Sequence, residues 1–378
     1  MPLHCSMIDT SAKHRGVKTL ALALLALGAA WPGRGGTAVA AVPPARSLAA
    51  QYPGDVGIAK APAVVWYEDF SELSLAAVLA RDDSHKNPAG MALVTDHPRG
   101  SPGRYALRLT AGGAHPATDL YKQLRPGYDS LYFRYYIKYL GHGPWHHSGV
   151  WIGGYNPPLR FPYPRAGLRP SGSRWYSIGL EPIPLFAHTP MDLYTYWRGM
   201  HSWRAVPTGR RGDYWGNTLL HDPHFRLHSN TWECYEIHLK LNPNPASAAG
   251  AVLEVWQNNH LVRRFDDRGP LGYWVRDKFC PLDATGPECT RYRPAHPRLV
   301  LLDQRWRTSP ALKINYFWPQ NYNTASTDSS LLLADIVIAT KRIGCLQRPV
   351  NGRARAAGHF THISAALHST PRKAPRKP

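Results

Sequence analysis

The sequence predicts an all-β sandwich or barrel, and three observations carry that reading. Short runs rich in Tyr, Trp, Val and Ile recur between Pro, Gly and Asn turns. Within the runs apolar and polar side chains alternate with a period of two, the mark of a strand with one buried face. Little convincing amphipathic helix lies between them. At 378 residues the chain has ample length to bury a core.

The elements follow in chain order. Lys13, His14, Arg15 and Lys18 precede the apolar run "TLALALLALGAAW" (19–31), and small residues follow at "TAVAA" (37–41). This is the pattern of a secretory signal peptide over 1–41, too short to span a bilayer comfortably. A retained anchor is the alternative. Cys5 precedes the apolar run, which argues against a lipoprotein. Residues 42–62 are rich in Ala and Pro and read as a linker. The folded domain is expected over 63–346.

In "LYFRYYIKYL" (131–140), Leu131, Phe133, Tyr135, Ile137 and Tyr139 share one face, with Tyr132, Arg134, Tyr136 and Lys138 on the other. Similar strands are expected at 175–182, 192–200, 232–242, 251–265, 311–320 and 331–344. Asn258-Asn259 suits a hairpin turn inside 251–265. Residues 155–174 carry five prolines and four arginines without a strand pattern, so they read as a long loop suited to a cleft wall. Residues 347–378 end in "PRKAPRKP" and read as a disordered basic tail.

Charge and cysteine content narrow the partner. The net charge is +20, with +3 in residues 1–41 and +7 in 348–378, which leaves half of it in the body. A polyanionic partner is implied: nucleic acid, acidic polysaccharide or anionic membrane. Export argues against nucleic acid and places the protein outside the cell or in a periplasm, with no membrane span once the signal is removed. The four cysteines beyond the signal, Cys234, Cys280, Cys289 and Cys345, favour two disulfides in an exported chain. Three connectivities are possible. Loop geometry favours Cys280–Cys289 and Cys234–Cys345.

The order of elements resembles a known family. A strand "DSLYFRYYIKY" is followed by the glycine-rich "HHSGVWIGG", then by a Tyr-x-Tyr strand "YTYW" (194–197). "WECYEIHLKLN", the hairpin "LEVWQNNHLVRRF" and a closing "LADIVIATKRIG" complete it. Residues 63–346 are similar in this order to the concanavalin A-like jelly-roll polysaccharide lyases, in particular the family-14 alginate and glucuronan lyases. The resemblance implies a β-jelly-roll sandwich with substrate across its concave sheet. It also implies catalysis by a Tyr-x-Tyr pair, here Tyr194 and Tyr196, with a lysine before the glycine-rich strand. His146 and His147 occupy that lysine's place.

A uronate lyase must remove the proton at C5, beside a carboxylate. Cationic or hydrogen-bonding groups neutralise that carboxylate, a base takes the proton, and an acid such as tyrosine protonates the departing O4. The expected catalytic residues are therefore His146, His147, Tyr194 and Tyr196. The expected substrate-binding residues are Tyr132, Arg134, Tyr136, Lys138, Arg198, Lys313 and Asn315. Three rivals stand beside the lyase. A non-catalytic carbohydrate-binding protein would use the 13 Trp and 20 Tyr for stacking on sugars. In that context Trp151 and Trp256 are expected in the core, and Trp197, Trp203, Trp215 and Trp318 at a cleft. A glycoside hydrolase needs paired carboxylates, and the E-x-D-x-x-E strand motif of jelly-roll glucanases is absent. A metal site at His221, Asp222, His224 and His228 matches no established ligand spacing. No metal or cofactor is called for, and a monomer is expected.

Overall fold

The computed structural model describes residues 47–163, 165–183 and 190–347; the expected signal peptide and all but the first residue of the expected tail lie outside them. In chain order the strands are β1 (Val64–Glu68), β2 (Ser84–Lys86), β3 (Met91–Val94), β4 (Ala106–Ala111), β5 (Ala117–Tyr128) and β6 (Ser130–Leu140). Then come β7 (Gly149–Tyr155), β8 (Trp175–Pro182), β9 (Met191–Tyr196), β10 (Glu233–Lys240), β11 (Val252–Gln257) and β12 (His260–Phe265). The last are β13 (Leu271–Val275), β14 (Lys278–Pro281), β15 (Val300–Leu301), β16 (Ile314–Tyr322) and β17 (Ser329–Ala339). Among the described residues no helix is long and apolar enough to cross a membrane.

Two antiparallel sheets form a β-sandwich. The first has eight strands in the order β12-β11-β10-β6-β17-β4-β3, with β1 also on β17; the second has six, β2-β5-β16-β7-β8-β9. A small third sheet, β14-β13-β15, stands apart. β17 serves two neighbours because it bends. Its first half pairs with β4 and its second with β1. Between them Asp335 takes φ 45°, where the register with β6 also shifts. The extra twist of such an irregularity is how one strand changes partners.

The period-two patterns become the sandwich interior. Phe133, Tyr135 and Ile137 of β6 pack with Ile237 of β10 and with Val150, Ile152, Ile178, Leu180 and Leu193 of the second sheet, all in one buried cluster. Asn258 (φ 51°) and Asn259 (φ 70°) make the hairpin between β11 and β12. Both left-handed positions suit Asn, and a turn of this kind matches the strand twist. Strand β9 ends at Tyr196, four residues before the expected end of its apolar run, and Trp197 turns inward instead, fully buried.

The described part of the expected 42–62 linker is packed. Leu48 and Ile58 are buried against Val337, Ala339 and Ile343, and Leu48 and Ala49 donate backbone N–H groups to the carbonyls of Arg342 and Ile343 at 3.0 and 2.8 Å. Composition hides this, because its burial comes from tertiary contact.

Both favoured disulfides are formed, Cys234–Cys345 and Cys280–Cys289. The first closes 111 residues and ties β10 to the chain beyond β17. A loop of that size restricts the unfolded chain strongly, so Cys234→Ala/Cys345→Ala is expected to lose about 2–4 kcal/mol. Urea unfolding followed by tryptophan fluorescence measures it. An unchanged midpoint would show that the segment is held by Leu48 and its neighbours alone.

Candidate active site

The six-stranded sheet turns Phe317 toward Phe133 and Tyr135 of the other sheet, together with its aliphatic residues, and carries Trp151, Tyr194 and Trp318 on the opposite face. Hydrogen-bonding register aligns Trp318 of β16, Trp151 of β7, Gly179 of β8 and Tyr194 of β9 in one rung. Glycine at 179 is required by a close approach: a Cβ there would stand 2.5 Å from the Trp151 ring. Gly216, from the loop after β9, lies on Tyr194 in the same way, where a Cβ would be 2.4 Å from the ring. That loop is pinned by Asn217, whose side chain accepts from His201 N–H (2.7 Å) and donates to His201 C=O (2.9 Å).

Over this face lies a cleft with two lobes. The larger, about 700 Å³, is floored by Trp151, Trp318 and Gln320 and walled by Phe161, Tyr163 and Trp215. The smaller is about 490 Å³ and is bounded by the 218–226 and 277–288 segments. Both volumes fall in the range of ligand pockets. His146, His147 and Tyr194 belong to both lobes and form the divide.

At that divide His147 donates from Nδ1 to Glu181 Oε1 (2.8 Å). Glu181, on β8, is 2% exposed, and its other oxygen has no hydrogen bond. Burial pushes the Glu181 carboxyl up, against the pull of His147 and a smaller one from Trp151. Burial disfavours the His147 imidazolium, but the Glu181 carboxylate outweighs it and the net shift is upward. His146 goes the other way, pushed down to about 4 by burial and by His147 beside it, with ring centroids 4.1 Å apart. The two adjacent imidazoles are thus shifted in opposite directions, a separation that marks acid–base sites. The backbone beneath is fixed. Ser148 Oγ donates to Asn321 Oδ1 (2.7 Å), and Tyr139 Oη donates to Ser148 C=O (3.0 Å).

Tyr194 and Tyr196 sit two residues apart on one face of β9, with ring centroids 5.6 Å apart, edge to face. The Tyr194 ring is 4.8 Å from that of His147. Burial holds the Tyr194 hydroxyl far above its ordinary range, helped by Tyr196 and Glu181. Tyr196 is pushed up to about 12, chiefly by burial, with Tyr194 and the Gly216 backbone opposing. Both are neutral phenols near pH 7. Each therefore carries a proton that it can donate in a hydrogen bond or to a more basic alkoxide, and neither is available as a base.

The structure brings His146, His147, Tyr194 and Tyr196 to this cleft. The seven expected substrate-binding residues do not line it. Four lie on β6, in the other sheet, on the face turned away from the sandwich interior. There Tyr132 stacks on His238 at 3.9 Å, and Arg134 is fully buried in an ion pair with Asp55. Tyr136 accepts from Leu346 N–H (2.8 Å), and Lys138 pairs with Asp96 (2.7 Å). Arg198 donates to Ser171 C=O (3.2 Å), and Lys313 pairs with Asp129 (2.8 Å). Asn315 holds the backbone of Tyr155 at 3.0 and 2.8 Å.

The tryptophans also divide differently. Trp215, Trp318 and Trp151 line the larger lobe, Trp151 while also packing into the core. Trp197 is buried with its N–H on Asp303 C=O, and Trp203 donates to Gly212 C=O. Of the histidine-rich stretch, His228 pairs with Glu233 (2.6 Å) and His221 meets Thr218 (3.1 Å). Among the described residues, a ring nitrogen of His221 lies within 4.8 Å of the sulfurs of Cys280 and Cys289, but those sulfurs form a disulfide and offer no thiolate.

Glu181, Lys86, Arg165 and Tyr322 are at the cleft and were not among the expected site residues. Glu181 had a signal, since Trp175, Ser177, Gly179 and Glu181 alternate onto one face. Lys86 had none, because β2 is three residues long. Asp119 is the larger lobe's acid, pushed up to about 6 mainly by burial. Asp119 and Glu181 are separated by β16 and β7. Three strand spacings are about 14 Å, beyond the roughly 5–9.5 Å between the carboxyls of most glycosidases. Asp192 is occupied elsewhere, accepting the N–H groups of Leu193, Leu219, Leu220 and His221 at 2.7–2.9 Å.

No protein-family profile and no curated protein matches the sequence. Solved structures do. An alginate lyase of family PL-14 from Aplysia kurodai aligns at 15% identity over 73% of this chain and 99% of its own, with a TM-score of 0.45. An alginate lyase from Chlorella virus gives 12%, 73%, 99% and 0.42. An endo-β-1,4-glucuronan lyase from the fungus Trichoderma reesei gives 9%, 74%, 96% and 0.35.

Proposed function

We propose that the protein is a polysaccharide lyase that cleaves an acidic, uronate-containing polysaccharide by β-elimination outside the cell. The observation that carries this reading is the Glu181–His147 pair facing Tyr194 across 4.8 Å at the divide of the cleft. Glu181 fixes the imidazole with Nδ1–H toward itself, which leaves the Nε2 lone pair for the C5 proton of a bound uronate. As the proton leaves, Glu181 stabilises the imidazolium, as a buried carboxylate does behind a histidine base. The C5–H electrons form the C4=C5 double bond, the C4–O4 bond breaks, and O4 takes the proton of Tyr194. Solvent then returns His147 and Tyr194 to their starting states. Lys86 and Arg165 line the larger lobe, where they draw the polymer's carboxylates into the cleft.

The test is the ultraviolet absorbance of the unsaturated uronate after incubation with acidic polysaccharides. Tyr194→Phe is expected to lower kcat by about 10²-fold with KM little changed, the usual worth of one positioned acid. Retention on a polyanion column with no new absorbance on any uronate polymer would instead identify a carbohydrate-binding protein, the role that the aromatic walls of the larger lobe also fit.

A further inference from the structure

The two lobes differ in charge, and the difference bears on what the polymer is. In the larger lobe the cations are Lys86 and Arg165; Lys86 acts on the one acid, the buried Asp119 opposite it in the sheet, and Arg165 forms no ion pair among the described residues. The smaller lobe carries Glu181, Asp192, Asp222, Asp277 and Glu288 against Arg226 and Lys278. Its lysine is already committed, to Asp277 at 2.8 Å and Glu288 at 3.1 Å. The Arg226 Nε donates to Pro223 C=O at 2.6 Å. An acidic pocket of this kind is unusual in a chain of net charge +20. Glu181 Oε2 adds a second observation: it is buried, without a hydrogen bond, and belongs to the group that lines this lobe. Buried and drawn on only by His147 and Trp151, a carboxylate here disfavours a second one beside it, whereas a sugar hydroxyl or amino group brings no negative charge.

A homopolymeric uronate would place a carboxylate in each lobe, and the smaller one would repel it. We infer that the substrate alternates uronate with hexosamine, with the uronate in the larger lobe and the amino sugar in the smaller. This rests on the lyase reading above and names its substrate class. An amide N–H or an ammonium group at the sugar nitrogen then meets the carboxylates, and the aromatic walls of the larger lobe stack on the uronate ring.

The experiment compares four polymers by unsaturated-uronate absorbance: polymannuronate, polyglucuronate, an unsulfated polymer alternating glucuronate with N-acetylglucosamine, and its N-deacetylated form. The expected result is a kcat/KM at least 10-fold higher on the alternating polymers than on either homopolymer. Asp222→Asn, which keeps the oxygen that accepts His224 N–H (2.8 Å), is expected to narrow that ratio by up to about 5-fold, the scale of one charge near a solvated surface. Equal or better turnover of the homopolymers would overturn the inference and leave the lyase reading standing. Elimination on none of the four overturns the inference, and no elimination on any uronate polymer overturns the lyase reading as well. A preference for the alternating polymers that Asp222→Asn leaves unchanged would trace the selectivity to something other than the lobe's charge, and the inference would fail.

Discussion

His147→Gln is expected to lower kcat for elimination by about 10³-fold while leaving the unfolding midpoint near that of the parent protein. Loss of the base alone is worth roughly 10²–10⁴-fold. Glutamine keeps an N–H to satisfy Glu181, so the buried carboxylate is not stranded. Glu181→Gln tests the same pair from the other side. Glu181 raises the pKa of His147, and a base must be neutral to act. The parent rate therefore climbs as pH rises through that elevated pKa. Without the carboxylate the imidazole is left with burial, which favours its neutral form, so the acid limb of the pH–rate profile moves to lower pH. The plateau falls as well, because nothing fixes the tautomer or steadies the imidazolium. A plateau loss with an unmoved acid limb would mean that Glu181 only supports the strand. An unaltered rate in His147→Gln would remove the dyad from the chemistry and turn attention to His146.

How much of this was legible follows from what a strand pattern encodes. Alternation in 131–140 separates Phe133 and Tyr135 from Arg134 and Tyr136, and the structure keeps that separation. It does not say which sheet the strand joins or what covers its polar face. Arg134 reads as a cation open to substrate and is instead fully buried. The partner that buries it, Asp55, lies in a segment whose Ala- and Pro-rich composition reads as linker. Tyr194 and Tyr196 were easier, because two tyrosines at i and i+2 must share a face wherever the strand lies. His146 and His147 precede β7 and are not extended within it, so both reach the cleft, where strict alternation would have admitted one. Glu181 was visible as a carboxylate, but its role depends on β7 lying beside β8, a pairing that no local pattern states.

Asp55→Ala is expected to destabilise the protein by about 3–5 kcal/mol, the cost of leaving one member of a buried ion pair uncompensated. The two side chains have no exposure at all, and the Arg134 Nε and Nη1 make no other hydrogen bond. The guanidinium cannot reach water without lifting the 47–62 segment from β6 and β17. Asp335 bends beside them and contributes to the field at Arg134. Burial pushes Asp335 up to about 6, against its Ser101 hydrogen bond and Arg134. Asp55 is among the groups that raise it, so in Asp55→Ala this carboxyl ionises at lower pH than in the parent; ionised it offsets part of the orphaned charge, and protonated it does not. The cost of Asp55→Ala is therefore larger at pH 5 than at pH 8. Asp55→Leu/Arg134→Met removes both charges and keeps the volume, so most of the loss should return, as it does when buried pairs elsewhere are replaced by apolar residues. Urea titrations of both variants at the two pH values decide the matter. If the double variant is as unstable as Asp55→Ala, the segment is held by shape at this point and not by the balance of charge. A pH-independent cost would take Asp335 out of the account.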